Sequence, residues 1–209
     1  MRKSEFLKRK PGSTRATLLF AGFLILFMAQ GTALAQDASR GNVNVLLGQR
    51  NMNSDWDPVD EQALFAVEVD YARESWPVNI LFGIAGSAGD GSMVVTDGWS
   101  VASVDITGTT SELYGGVRKY FDAGPSFSPY MGGGLSMIRA EASASSGGFK
   151  ISGDDTTMGF FLDCGAVYRA GSFNIGLDLR LLTGASMEIA GYSIDANYVQ
   201  AALVIGYGW

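Results

Sequence analysis

YVQAALVIGYGW, residues 198–209, brings the sequence to a stop on an aromatic residue in what reads as the middle of a strand. Val199, Ala201, Leu203, Ile205, Tyr207 and Trp209 alternate with Tyr198, Gln200, Ala202, Val204, Gly206 and Gly208. One side of this period-two run is apolar to its last residue, and the other is mostly small or polar. A strand so patterned lays its apolar face on a core or on lipid. The rest of the chain decides which.

Seven further runs alternate in the same way: residues 41–50 (GNVNVLLGQR), 63–72 (ALFAVEVDYA), 77–87 (PVNILFGIAGS), 111–121 (SELYGGVRKYF), 127–138 (FSPYMGGGLSMI), 159–170 (GFFLDCGAVYRA) and 173–183 (FNIGLDLRLLT). Each is close to the roughly 9–11 residues that a tilted strand needs to cross a bilayer. The connections alternate in length. Residues 73–76 (RESW), 122–126 (DAGPS) and 171–172 (GS) are tight turns, whereas 51–62, 88–110, 141–158 and 184–197 are long and polar. This asymmetry predicts an all-β fold: an eight-stranded antiparallel up-and-down transmembrane β-barrel with short periplasmic turns and long extracellular loops. Residues 93–106 (MVVTDGWSVASVDI) and 148–153 (GFKISG) are expected to extend the hairpins above the membrane.

Sorting the strands by parity sharpens the expectation. One set of faces carries Val43, Phe65, Phe82, Leu113, Leu135, Leu162, Leu177 and their alternates, with Lys119 near a turn as its one charge. The other set carries the charges, together with Gly48, Gly83, Gly116, Gly132, Gly134, Gly165 and Gly176, where a narrow closed barrel needs room. Aromatics gather near the strand ends, among them Tyr71, Trp76, Phe121, Tyr168, Phe173, Tyr207 and Trp209, as an interfacial girdle requires. A soluble periplasmic ligand-binding barrel also alternates, with its apolar face inward, and is the alternative fold reading.

The amino-terminal segment bears on the compartment. Arg2, Lys3, Lys8, Arg9, Lys10 and Arg15 precede the apolar run LLFAGFLILFMA (18–29), and Ala33 and Ala35 stand where a signal peptidase reads small residues. Residues 1–35 are therefore expected to be a cleaved Sec signal peptide, and 36–209 the outer-membrane barrel domain. One cysteine, Cys164, and no histidine among 209 residues rule out a disulfide framework and a histidine general base.

The terminal YVQAALVIGYGW resembles the C-terminal signal read by the barrel-assembly machinery, and SPYMGGGLSMI (128–138) is similar to the recurrent Pro-Tyr-x-Gly-x-Gly strand of small outer-membrane barrels. On these pieces the chain resembles the eight-stranded family of the OmpA transmembrane-domain and OmpX type. The resemblance implies folding by periplasmic chaperones and the barrel-assembly machinery, with Tyr207 and Trp209 serving as assembly signal and girdle. It implies residence in the outer membrane among its lipids and lipopolysaccharide, and no particular activity. The periplasmic peptidoglycan-binding domain of the OmpA family is not expected, since the sequence stops at Trp209.

Two constellations remain. Arg50, Arg118, Arg169 and Arg180 share inward parity with Glu68, Asp70, Glu112, Asp163 and Asp178. In an interior only wide enough for side chains, unpaired charge is costly, so these groups are expected to pair and plug the lumen, with Glu68, Glu112 and Asp178 reaching Arg118 and Arg180. A narrow channel for ions or small solutes is the alternative. The long loops carry twelve carboxylates against Arg139 and Lys150. Within them Asp55, Asp57, Asp60 and Glu61 form the one weak candidate for a hard cation, lacking the glycine and closing glutamate of an EF-hand loop. No cofactor and no enzymatic activity are expected, an acidic exterior opposes nucleic acid, and the barrel is expected to be a monomer.

Overall fold

The computed structural model describes residues 39–96, 101–146, 149–189 and 191–209. The expected signal peptide lies outside the described residues. Among the described residues ten strands follow one another: β1 (Ser39–Met52), β2 (Glu61–Arg73), β3 (Asn79–Thr96), β4 (Val101–Tyr120), β5 (Phe127–Ser146), β6 (Phe149–Ala170), β7 (Phe173–Thr183), β8 (Ser186–Ile189), β9 (Tyr192–Asp195) and β10 (Tyr198–Gly208). Eight of them close an antiparallel barrel in the order β1-β10-β7-β6-β5-β4-β3-β2, and β8 and β9 form a separate two-stranded hairpin. The barrel is the expected up-and-down one.

Closure falls on the carboxy-terminal strand. Val45 lies opposite Ile205 and Val43 opposite Tyr207 across the β1–β10 seam. Gly41 and Trp209 then exchange both backbone hydrogen bonds, at 3.1 and 3.0 Å. The Trp209 ring lies over Gly41, where a Cβ would collide with it. The strand thus runs on to the final residue because its last peptide belongs to the ladder.

Strand lengths divide the barrel. β7 and β10 have 11 residues each, whereas β3 has 18, β4 and β5 have 20, and β6 has 22. Only about half of a strand that long fits a bilayer, so β3 to β6 run on as a four-stranded sheet beyond one end. The eight alternating runs stop short of this because outside lipid the alternation passes into Ser, Thr, Gly and Asp, but the hairpin extensions expected around 93–106 and 148–153 are present in their described residues. The β8–β9 hairpin differs from expectation, since it forms within the connection 184–197 that the alternation leaves as a long polar loop. At the other end the connections are short, with Gly124 and Gly171 at positive φ in two of the turns.

Inside and outside are unambiguous. Phe82 and Leu177 are 63% and 66% exposed on the outer wall, whereas Arg50, Arg118 and Arg180 are at most 1% exposed within. A soluble barrel would reverse this arrangement, since so large an apolar band is stable only against lipid. Cys164 is a free thiol on this outer wall. The narrow lumen requires glycine where rings cross it. A Cβ at Gly83 would occupy the Tyr114 ring, and one at Gly165 would sit 2.5 Å from the Tyr130 hydroxyl.

Candidate functional site

The interior is built around Arg118. From β4 its guanidinium bonds both carboxylate oxygens of Glu68 on β2 and, through Nε (3.0 Å) and Nη2, Asp163 on β6. It also lies 4.3 Å from the Tyr130 ring centre. A planar fork with donors on two edges suits this double role, which lysine could not fill. Glu68 gathers further donors: Asn44 at 3.2 Å, the Tyr114 hydroxyl at 3.4 Å and Arg180 Nη2 at 3.4 Å. Arg180 itself is held between the Tyr114 and Phe161 rings, 3.9 and 4.9 Å from their centres.

Two satellites flank this centre. Asp70 accepts from Asn42 (2.8 Å), Asn79 (2.5 Å) and the Tyr120 hydroxyl (2.8 Å), so neutral donors hold it, with Arg118 only at 4.0 Å. Toward the long-strand end, Arg50 pairs with Glu112 at 2.5 Å and donates to Thr110 (2.9 Å) and Gln200 (2.9 Å), with its guanidinium carbon 3.9 Å above the Tyr198 ring centre. Glu112 also accepts from Ser136 (2.6 Å) and Tyr198 (2.8 Å). Glu68, Asp70 and Glu112 therefore each have several donors, as low dielectric demands.

The expected pairing is corrected at four places. Arg169 has no carboxylate partner among the described residues; it is half-buried near the turn end and stacks 5.1 Å from the Tyr120 ring centre. Glu112 serves Arg50 rather than Arg118 or Arg180. Asp178 does reach Arg118, as an ion pair at 3.8 Å, and accepts from Tyr130 at 2.7 Å; the difference is that the closest contact goes to Asp163, which the expected pairing leaves without a named arginine. The fourth concerns the cation candidate. Asp55 accepts the backbone N–H of Asp195 at 3.1 Å, and among the described residues no group of three His, Cys, Asp or Glu side chains is placed to hold a metal ion, so Asp55, Asp57, Asp60 and Glu61 form no ligand set.

Over the long-strand mouth sits a feature that the sequence reading missed. Residues 53–60 fold inward through a 3₁₀ turn (Ser54–Trp56) and bury Trp56 and Val59, which join the hydrophobic cluster of the barrel interior that also takes in Met52, Ala185 and Met187. The Trp56 indole donates to the Asp195 carbonyl at 3.0 Å, Asn53 N–H to Asn197 O at 2.9 Å, and Ala185 N–H to the Asn197 side chain at 3.0 Å. The first loop and the β8–β9 hairpin thus hold each other over the lumen. The signal was present: Trp56 in a polar stretch, and the alternation of Met187, Ile189, Tyr192 and Ile194 around Gly191.

At the opposite rim Tyr207 meets Phe173 edge-on, ring centres 6.2 Å apart, and Tyr71 meets Trp76 in the same way. All four stand near strand ends at this rim.

A family model described as the outer membrane protein beta-barrel domain matches residues 19–209. The chain belongs to this family. It is accordingly an outer-membrane β-barrel protein of the small eight-stranded kind. Among solved structures it is similar to Ail, the attachment invasion locus protein of Yersinia pestis, crystallised with the heparin analogue sucrose octasulfate, at 14% identity and a TM-score of 0.54, covering 82% of this chain and 99% of that one. It is also similar to a major outer membrane protein of Thermus thermophilus, at 11% identity and a TM-score of 0.50, covering 82% and 100%. Identities this low carry the fold alone. No curated protein matches.

Proposed function

We propose that this member of the family is a non-enzymatic barrel whose lumen is closed, serving envelope structure and surface interaction through an acidic extracellular end. The observation that carries the reading is the series of side-chain bridges across the interior. Arg118 ties β2, β4 and β6 together, Arg180 on β7 reaches Glu68 on β2, and Arg50 on β1 reaches Glu112 on β4. The Trp56 cap lies over these bridges. A narrow channel would have to break several charge-assisted hydrogen bonds to pass a solute.

An enzymatic role finds no support in the chemistry. Each inward carboxylate accepts at least one hydrogen bond inside the lumen, and the sequence has no histidine to serve as a general base. In this reading the long-strand end faces outward and both described ends of the chain face the periplasm. Lipid and lipopolysaccharide surround the wall, periplasmic chaperones and the assembly machinery deliver it through Tyr207 and Trp209, and it acts as a monomer. Residues 1–35 serve as the export signal.

Liposome swelling tests the closed lumen. Vesicles holding the folded protein should swell in small sugars and amino acids no faster than empty ones. Rapid, size-dependent swelling would replace this reading with the channel.

A further inference from the structure

The sheet that β3 to β6 raise above the membrane is two-faced. On the side continuous with the outer wall, Ser92, Asp105 and Ser145 stand in one row and Asp90, Thr107, Ser143 and Ser152 in the next. The side continuous with the lumen is apolar. Ile106, Ala144 and Ile151 lie abreast in one row, Met93 and Val104 pair in the row above, and Ala142 lies below. Within the bilayer the apolar side of a strand meets lipid; here the parity is reversed and the height is outside lipid. A sheet face of this kind calls for a cover.

Part of the cover comes from the chain itself. Pro58 packs on Gly91 and Val59 on Gly108, so closely that a Cβ at either glycine would meet them within 2.5 and 2.8 Å. Above that contact the face is open: Met93 is 44% and Ile151 75% exposed. Carboxylates border it. Asp57 and Asp60 flank, in sequence, the Pro58 and Val59 that pack on the face, Asp57 exposed and Asp60 half-buried, and Asp155 lies on the same face four residues beyond Ile151. Asp155 accepts the N–H groups of Thr156 (2.7 Å) and Glu188 (2.8 Å), which hold its carboxyl below the usual range and keep it ionised. Arg139, by contrast, is spent on Asp154 at 2.9 Å.

We infer that this face, apolar at Met93, Val104, Ile106 and Ile151 and bordered by Asp57, Asp60 and Asp155, is a docking surface for a cationic amphipathic peptide segment. Apolar side chains on one face of the segment cover the exposed rows, and its lysines or arginines meet the carboxylates. A second copy of this chain fits less well, because two acidic borders would face each other. The inference rests on the surface-interaction part of the proposed function and is independent of whether the lumen conducts.

The test uses the full chain, folded in nanodiscs of zwitterionic lipid, and a labelled peptide of alternating Leu and Lys, with Leu/Glu and Ser/Lys peptides as controls. Binding is read as the anisotropy above that of empty nanodiscs. The Leu/Lys peptide should bind, more weakly as salt rises, and the controls should not. Met93→Ser with Ile151→Ser should weaken it roughly tenfold or more, because less apolar surface leaves water on binding. Asp57→Asn with Asp60→Asn, which leaves the sheet intact, should weaken it too and keeps the test informative if the serine pair fails to fold. Equal binding of the Ser/Lys peptide overturns the inference, since charge alone would then suffice. So does self-association that the serine pair abolishes, which would assign the face to a second copy. A folded barrel that binds no Leu/Lys peptide also overturns it, and if such a barrel is still impermeable the closed-lumen reading stands.

Discussion

The Tyr198 hydroxyl on β10 lies 2.8 Å from both carboxylate oxygens of Glu112 on β4, four places away around a ring of eight strands. The two residues meet across the full width of the lumen. A contact of this span forms only when the interior is as narrow as two side chains, which makes it a sensitive reporter of packing.

Tyr198→Phe removes that bond and keeps the ring beneath Arg50. Glu112 retains Arg50 and Ser136, so the loss should be about 1–3 kcal/mol, read from urea unfolding in lipid vesicles. No measurable change would mean that the hydroxyl and carboxylate are solvated separately.

Arg118 and Arg169 should behave differently despite their common parity. Arg118→Ala leaves buried Asp163 without its cation and buried Glu68 with only Arg180, Asn44 and Tyr114, which can cost about 3–5 kcal/mol. Arg169→Ala removes a half-exposed stacking partner and should shift stability by no more than about 0.5 kcal/mol. Equal losses in the same unfolding titration would contradict the assignment of the centre to Arg118.

These two arginines also mark what the sequence could tell. Inside and outside were legible because lipid and a polar lumen impose opposite demands on alternate residues, and the inward charges fell where parity put them. The pairing was not legible. Which carboxylate a guanidinium reaches depends on the stagger of strands around the ring, and that brings Asp163 rather than Glu112 to Arg118. The raised sheet was half-legible, since outside the bilayer the constraint that makes a strand conspicuous disappears. The cap was hidden for another reason: burying Trp56 depends on β8 and β9 arriving from more than a hundred residues away.

Trp56→Ala should loosen the cap. A large-to-small change of this kind in a packed cluster costs about 3–5 kcal/mol, and here the loss should fall on the local structure of residues 53–60 and 184–197. Limited proteolysis of the folded barrel should then cut in those segments. An unchanged digestion pattern would show that the hairpin holds its place without the indole.

Leu179 on the outer wall is 54% exposed to the bilayer side and lies opposite Ala201 and Cys164. Leu179→Arg, near the middle of β7, should cost roughly 2–4 kcal/mol in folding titrations into vesicles, and no loss would reverse the parity of that strand. Deleting Trp209 should lower the yield of heat-modifiable, membrane-inserted protein, because it removes the last ladder bonds to Gly41. Normal yield would detach that residue from assembly.

Single-channel recording in planar bilayers, comparing the wild-type barrel with Arg118→Ala, tests the closed lumen most directly. The packed interior predicts little or no conductance for the wild type and a new leak once the guanidinium linking β2, β4 and β6 is gone. Steady, large wild-type conductance that Arg118→Ala leaves unaltered would contradict the closed lumen and establish the barrel as a channel.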